Sequence, residues 1–429
     1  MSSTPNCWQV CEACGLRYAE LDRRDSCQCG SLLEIAYDDL TIPPAELRRR
    51  FDERCAAPPG TQSGVWRYAE FLPPVETEAI VSFPEGNTPL VASRAVSEWV
   101  GCAALRLKHE GLNPSGSFKD RGMTVAITQA RRMGATAVAC ASTGNTAASL
   151  AAYAALAGLP AVVIVPAGRV ALGKLTQTVA FGARTIAVKG DFDACLTLLQ
   201  QAAKRTGLYI VNSVNPYRVE GQKTIAIELL HQLGWNPPDW IVLPAGNLGN
   251  TAALGKAIAE LHRAGLLASK PRILAVQAAG AAPFAKAFAE GFARRYAVHP
   301  DTVATAIRIG QPASWDRAVR AILGSGGAVI AVEDSEILEA KAVVDGAGIG
   351  CEPASAAAVA GLRRAVLDGL VKPSERAVAV LTGHVLKDPE IVAWYHTEFE
   401  AAPRRNAMIE VQPVLDAVLK AIDRAIQGA

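Results

Sequence analysis

The chain has almost no excess charge: 43 basic against 41 acidic side chains leave a formal +2 over 429 residues. That balance excludes a broad basic face for nucleic acid or an anionic membrane surface. No apolar run approaches membrane-spanning length, and the N-terminal MSSTPNCWQVCEACG lacks a basic stretch leading into an apolar one. We therefore expect a cytoplasmic protein. Low-complexity tracts and internal repeats are also missing, which excludes a disordered chain or a repeat array. Of the ten cysteines, five fall within the first thirty residues and the others are scattered, so no even disulfide framework is expected.

What is present is a large apolar fraction, 50% of residues, with 20% charged. A chain of this length exceeds the size at which a single core keeps growing, so we expect two domains and an appendage. From Lys119 onward, short apolar runs alternate with helical stretches: AVACA from Ala137, AVVIVP from Ala161, TIAVKG from Thr185, LYIVN from Leu208, WIVLPA from Trp240, ILAVQA from Ile273, AVIAVE from Ala328 and AVAVLT from Ala377. Such runs predict parallel strands covered on both faces by helices, in doubly wound α/β domains. CAALRLKHEG reads as a further strand, and residues from about 406 as an amphipathic helix with a face for the body or a second copy.

The N-terminal cysteines read differently. Cys11-x-x-Cys14 and Cys27-x-Cys29 form two thiolate pairs suited to tetrahedral zinc, while Cys7 is a fifth thiol that could replace one ligand or stand by. A redox CxxC is the competing reading, but the strand and helix context of such sites is not evident around Cys11.

Three loops at expected strand ends carry chemistry. KHEGLNPSGSFKDRGM places Lys119 just past a turn-rich segment, near a helix start at Phe118, where partial desolvation lowers an amine's pKa enough for it to condense with a carbonyl. Ser142, Thr143, Gly144, Asn145 and Thr146 lead into a helix whose N-terminus makes a carboxylate receptor. Gly246, Asn247, Leu248, Gly249, Asn250 and Thr251 open another helix, with glycines that permit close approach to a phosphate. This loop has G-x-x-G rather than G-x-G-x-x-G and no Walker lysine follows, so a nucleotide fits poorly. A small phosphorylated cofactor with a carbonyl fits better, and pyridoxal phosphate is such a molecule.

The strings SGSFKDRGM, ACASTGNTAAS, NSVNPYRVEGQKT, PAGNLGN, CEPASAAA and LTGHVLKDP, with EGNTPL and the cysteine pairs, resemble the threonine synthases over about residues 7 to 395. Ser115 stands where Thr is common in this family, and Val385 where Gly is frequent. The resemblance implies a fold-type II pyridoxal-phosphate enzyme with an N-terminal zinc-ribbon-like extension at 1–80, the ribbon lying at about 7–35. It further implies a large cofactor domain at 81–124 and 216–395, a small substrate-side domain at 125–215, and a helical tail at 396–429. Lys119 would carry the cofactor in imine linkage, Gly246 to Thr251 its phosphate, Asn145 its ring hydroxyl and Thr382 its pyridine nitrogen. A neutral hydroxyl partner would leave that nitrogen less protonated than a carboxylate would. Ser142 to Thr146 would take the substrate carboxylate, and Asn212, Ser213 and Arg218 its phosphate. The implied reaction is a carbon–oxygen lyase reaction that turns O-phospho-L-homoserine and water into L-threonine and phosphate, in a homodimer. A cysteate-synthase-like β-replacement on O-phosphoserine, a serine or threonine dehydratase, and a zinc-dependent interaction module with a degenerate synthase body are the rival readings.

Overall fold

The alternating apolar runs assemble into two separate sheets, one parallel and one mostly parallel, preceded by a small antiparallel one. The computed structural model describes residues 5–56, 62–168, 172–190, 192–400 and 402–427. Residues 1–4 of the expected extension, 428–429 of the expected tail, and Asp191 at the head of one expected helix lie outside them. Numbered along the chain, Cys7–Cys11 (β1), Arg17–Tyr18 (β2) and Leu33–Tyr37 (β3) form the antiparallel sheet, in the order β2-β1-β3.

Leu90–Val91 (β4) and Ala104–His109 (β5) come next. They are followed by Val138–Ala141 (β6), Ala161–Pro166 (β7), Arg184–Val188 (β8) and Tyr209–Ile210 (β9), which make a four-stranded sheet in the order β8-β7-β6-β9, parallel throughout. The chain then returns through Trp240–Pro244 (β10), Arg272–Ala278 (β11), Ala328–Val332 (β12) and Arg376–Leu381 (β13). These join the first two strands in a six-stranded sheet, β12-β11-β10-β13-β5-β4, in which β4 alone runs antiparallel to its neighbour.

Side chains on β10 show why this sheet is buried on both sides. Ile241 and Leu243 enter one apolar core with Ile273, Ala275, Val378 and Val380, while Trp240 and Val242 enter another with Leu274, Val276, Ala377 and Ala379. Successive residues of a strand face opposite ways, so an unbroken apolar run requires a helical layer on each face. The edge strand β8 departs from that expectation: Ile186 is 50% exposed. It has a neighbour on one side only.

Residues 1–387 and 388–429 form two compact units. In the second, the expected helix from about residue 406 starts only at Leu415 and runs to Gln427. Pro413 explains the late start, because its ring keeps the preceding residue out of the helical region. Leu415, Leu419, Ile422 and Ile426 on that helix are exposed.

A buried ionic cluster fixes the loop that follows β5. Lys108 Nζ donates to Glu228 Oε1 at 2.6 Å, and Arg121 reaches Glu110 Oε2 at 2.7 Å and Glu228 Oε1 at 2.8 Å, with all four side chains fully buried. Glu228 also accepts from the Asn87 and Thr88 amides, so the EGNTPL stretch is tied to the same cluster. Burial alone would push the Glu228 carboxyl up, but Arg121 and Lys108 hold it well below the usual range. The cluster joins the end of β5 to the helices Lys119–Arg132 and Pro216–Gln232, and so positions the lysine loop.

Candidate active site

The lysine loop is seamed to the end of β13. Phe118 N donates to Thr382 O at 3.0 Å, His384 N donates to Gly116 O at 3.0 Å, and Ser117 bridges to Gly383. Gly116 sits at φ +85°, a conformation that favours glycine, and at Gly111 a Cβ would lie 2.6 Å from His384 N. Asn113 donates to Glu110 O and Oε2, both at 2.8 Å, while its Oδ1 accepts from Gly86 N at 2.9 Å. Ser115 clasps the first turn of the helix: its N and Oγ donate to Asp120 at 2.6 and 2.5 Å, and Ser149 Oγ adds a third bond at 2.6 Å. Burial still raises the Asp120 carboxyl to about 6.

Lys119 begins the Lys119–Arg132 helix, with its Nζ 4.2 Å from the Phe118 ring centroid. Its side chain keeps some exposed surface, yet desolvation lowers the amine from 10.5 to about 7, helped by the charge of Arg218 and opposed by Glu352. At neutral pH a large share of such amines is free to act as nucleophile or base.

Gly246 to Thr251 lead from β10 into the Gly249–Arg263 helix. Gly246 is pressed against Ile307, whose Cα would lie 2.8 Å from an added Cβ, and Leu248 adopts φ +62° at the helix boundary. Asn247 ties neighbouring segments together: its Oδ1 accepts from Ala313 N at 2.6 Å and its Nδ2 donates to Ser213 Oγ at 2.5 Å. By contrast, both amide atoms of Asn250, the Thr251 hydroxyl and the Ser314 hydroxyl are buried without a hydrogen-bond partner among the described residues. Buried polar groups are seldom left unpaired, so this group of donors at a helix N-terminus is complementary to a phosphate.

Arg218 is a second such feature. It is fully buried, its Nη1 donates to Val211 O at 3.1 Å, and its Nε and Nη2 have no partner among the described residues. Desolvation lowers it to about 10, still charged at neutral pH. An unpaired guanidinium of this kind is complementary to an anion.

After β6, Ser142, Thr143, Asn145 and Thr146 keep partly exposed side chains at the mouth of the Asn145–Leu156 helix. Asn145 Nδ2 donates to Glu352 Oε2 at 2.8 Å. Asn212 is already engaged, since its Oδ1 accepts from Ala141 N at 3.0 Å and its Nδ2 donates to Ala141 O at 2.9 Å. It therefore anchors the end of β6 and positions Ser142. Thr382 Oγ1 lies 3.1 Å from Glu352 Oε1 and 3.0 Å from Ser355 Oγ.

Asn145 and Thr382 are linked through Glu352, Lys119 adjoins them through the seam at Thr382, and Arg218 lies near enough for its charge to act on Lys119. Glu352, Ser355 and Ser314 were not singled out in the sequence. Glu352 stands directly before Pro353 at the head of an alanine-rich helix, where a carboxylate reads as an ordinary cap. Its signal was the string CEPASAAA itself.

The four cysteines meet in the ribbon. Ligand atoms of Cys11, Cys14, Cys27 and Cys29 lie within 4.8 Å of one another, and Cys7 is outside the group. Gly15 at φ +72° and Gly30 at φ +85° turn the chain just after each pair. Tyr18 Oη approaches Cys27 Sγ at 3.1 Å. Four thiols on two tight turns match the donor set of structural zinc.

Comparison with known proteins agrees with this geometry. Residues 81–383 match the family described as pyridoxal-phosphate dependent enzyme. The threonine synthase of Methanosarcina acetivorans is 44% identical over 421 residues, covering 97% of this chain and 98% of that protein. The threonine synthase of Methanocaldococcus jannaschii is 44% identical over 389 residues, covering 89% and 93%. The crystal structure of threonine synthase from Escherichia coli superposes with a TM-score of 0.70 at 18% identity, covering 97% of this chain and all of that one, a likeness of fold. Identity at this level across nearly the whole of both chains settles the family, and the chain belongs to the threonine synthases among the pyridoxal-phosphate dependent enzymes.

Proposed function

We propose that the chain converts O-phospho-L-homoserine and water to L-threonine and inorganic phosphate. The observation that carries this reading is Arg218, a buried guanidinium with two nitrogens unpaired among the described residues, beside a lysine of lowered pKa. A phosphorylated amino acid supplies the dianion that such a group lacks. Bound pyridoxal phosphate would supply an electron-withdrawing ring that makes protons near the substrate amine removable.

The roles follow from the donors. Lys119 would hold the cofactor, and its amine, lowered to about 7, would move protons among the α, β and γ carbons of the substrate. Gly246, Asn247, Leu248, Gly249, Asn250 and Thr251 enclose the cofactor phosphate, with the unpaired Asn250, Thr251 and Ser314 groups as donors. Asn145 would face the ring hydroxyl and Thr382 the ring nitrogen. Ser142, Thr143, Asn145 and Thr146, at a helix N-terminus, take the substrate carboxylate. Asn212, Ser213 and Arg218 bind the substrate phosphate, with Asn212 also holding the adjoining strand end. Phosphate leaves from the γ carbon and water adds at the β carbon.

The same reading places structural zinc at Cys11, Cys14, Cys27 and Cys29. It takes 81–124 and 216–395 as the cofactor domain, 125–215 as the substrate-side domain, 1–80 as the extension and 396–429 as the tail. The distribution of strands between the two parallel sheets supports that division. A cytoplasmic setting is supported by ten free cysteines, and a homodimer by the exposed apolar side of the Leu415–Gln427 helix. Among the described residues no helix is long and apolar enough to cross a membrane.

Phosphate release from O-phosphohomoserine, compared with O-phosphoserine plus sulfite and with threonine measured directly, tests the assignment. Faster release from O-phosphoserine with sulfite would replace it with the cysteate-forming reaction.

A further inference from the structure

Glu352 is 1% exposed and takes two hydrogen bonds from the site, one through each oxygen. Asn145 Nδ2 donates to Oε2 at 2.8 Å, and Thr382 Oγ1 lies 3.1 Å from Oε1. In that contact Thr382 is the donor, so its single hydroxyl proton points at Glu352. On its other side Thr382 meets Ser355 Oγ at 3.0 Å, and Ser355 Oγ accepts from Gly383 N at 2.9 Å. With that acceptor position filled, the Ser355 proton has Thr382 Oγ1 as its nearer target and Gly383 O, at 3.4 Å, as the alternative. The chain of bonds therefore runs from Gly383 N–H through Ser355 and Thr382 to Glu352. Thr382 is left with a lone pair and no proton to offer.

The arrangement is held rigidly. Gly383 has no room for a side chain, because a Cβ there would lie 2.4 Å from Glu352 Cδ and 2.5 Å from Oε2. Glu352 N donates to Gly383 O at 3.0 Å, closing a second link between the same two segments.

We propose that Glu352 is a positioning residue which makes Thr382 a hydrogen-bond acceptor and thereby keeps a proton on the pyridine nitrogen of bound pyridoxal phosphate. This rests on the reading that Thr382 faces that nitrogen. A hydroxyl whose proton is already committed pairs with a ring nitrogen only when the ring supplies the N–H. The carboxylate thus acts on the ring through one intervening oxygen, which reverses the expectation drawn from the hydroxyl alone. Glu352→Gln would invert the chain. The amide oxygen would still accept from Asn145, while the amide nitrogen would donate to Thr382 and free its proton to point at the ring.

The test is the nitrogen NMR shift of ring-labelled pyridoxal phosphate bound to the resting holoenzyme, read for wild type, Glu352→Gln and Thr382→Val. The expected result is a pyridinium-like shift in wild type that moves to the pyridine range in both variants. A pyridine-like shift in wild type overturns the proposal, whether or not either variant folds. A pyridinium shift that moves in Thr382→Val but not in Glu352→Gln leaves Thr382 as the ring partner and removes Glu352 from the role. A shift insensitive to Thr382→Val means that the hydroxyl does not face the nitrogen, and the proposal falls with that reading.

Discussion

Replacing Arg218 with methionine separates the cost of the site from its use. In the folded protein the guanidinium is fully buried and, among the described residues, has one hydrogen bond, to Val211 O, with Nε and Nη2 unpaired. Each buried unpaired donor costs about 1–3 kcal/mol, and replacing buried ionic groups by apolar ones of similar size is often neutral or stabilising by about 1–4 kcal/mol. Apo Arg218→Met is therefore expected to unfold in urea at the same or higher denaturant concentration than wild type. Turnover should move the other way. Two lost charge-assisted hydrogen bonds, at about 1.5–3 kcal/mol each, correspond to about a 10²- to 10⁴-fold fall in kcat/KM for the phosphorylated substrate. The same change removes a positive charge that helps hold Lys119 near 7, so the Lys119 pKa should rise. Paired urea titrations and steady-state kinetics provide the assay. A variant that keeps kcat/KM within about threefold of wild type, or that loses stability in the apo form, would refute this account of Arg218.

Three further outcomes are expected. Lys119 titrates at about 7 when folded against an ordinary 10.5, so between those values the unfolded chain binds more protons. The apoprotein should then gain stability with rising pH relative to Lys119→Met, by up to about 1.4 kcal/mol per pH unit and without such a gain below about pH 6, as read by urea unfolding. Gly383→Ala forces a methyl to within 2.4 Å of the Glu352 carboxyl carbon, and about 1–3 kcal/mol of stability should be lost together with cofactor affinity, measured by unfolding and by cofactor titration. Metal analysis of the purified protein should find about one zinc per chain, lost in Cys14→Ser but retained in Cys7→Ser.

The sequence made the strands legible because parallel strands buried on both faces leave unbroken apolar runs, and WIVLPA and ILAVQA are such runs. Edge position is not encoded in that way, which is why TIAVKG looked like its neighbours although β8 lies at the sheet margin. Pro413 was visible, but the amphipathic spacing on either side of it hid the helix boundary. In the site, the loops that expose small polar groups to a cleft could be read locally, as with Ser142 to Thr146. Pairing across the fold could not. Asn212 reads locally as a ligand-binding amide, and its bonds to Ala141, 71 residues away, add a role at the end of β6 that the local string does not report. The partnership of Glu352 with Asn145 and Thr382 spans 207 and 30 residues of sequence, and no local pattern reports such separations.

The central claim is that the carbon–oxygen bond to phosphate breaks and water adds at the neighbouring carbon. Turnover of O-phosphohomoserine in heavy-oxygen water tests it, with threonine and phosphate both analysed by mass spectrometry. The account predicts threonine carrying the label in its hydroxyl group and phosphate released without it, in equal amounts. Labelled phosphate with unlabelled homoserine would mean hydrolysis at phosphorus, and would contradict it.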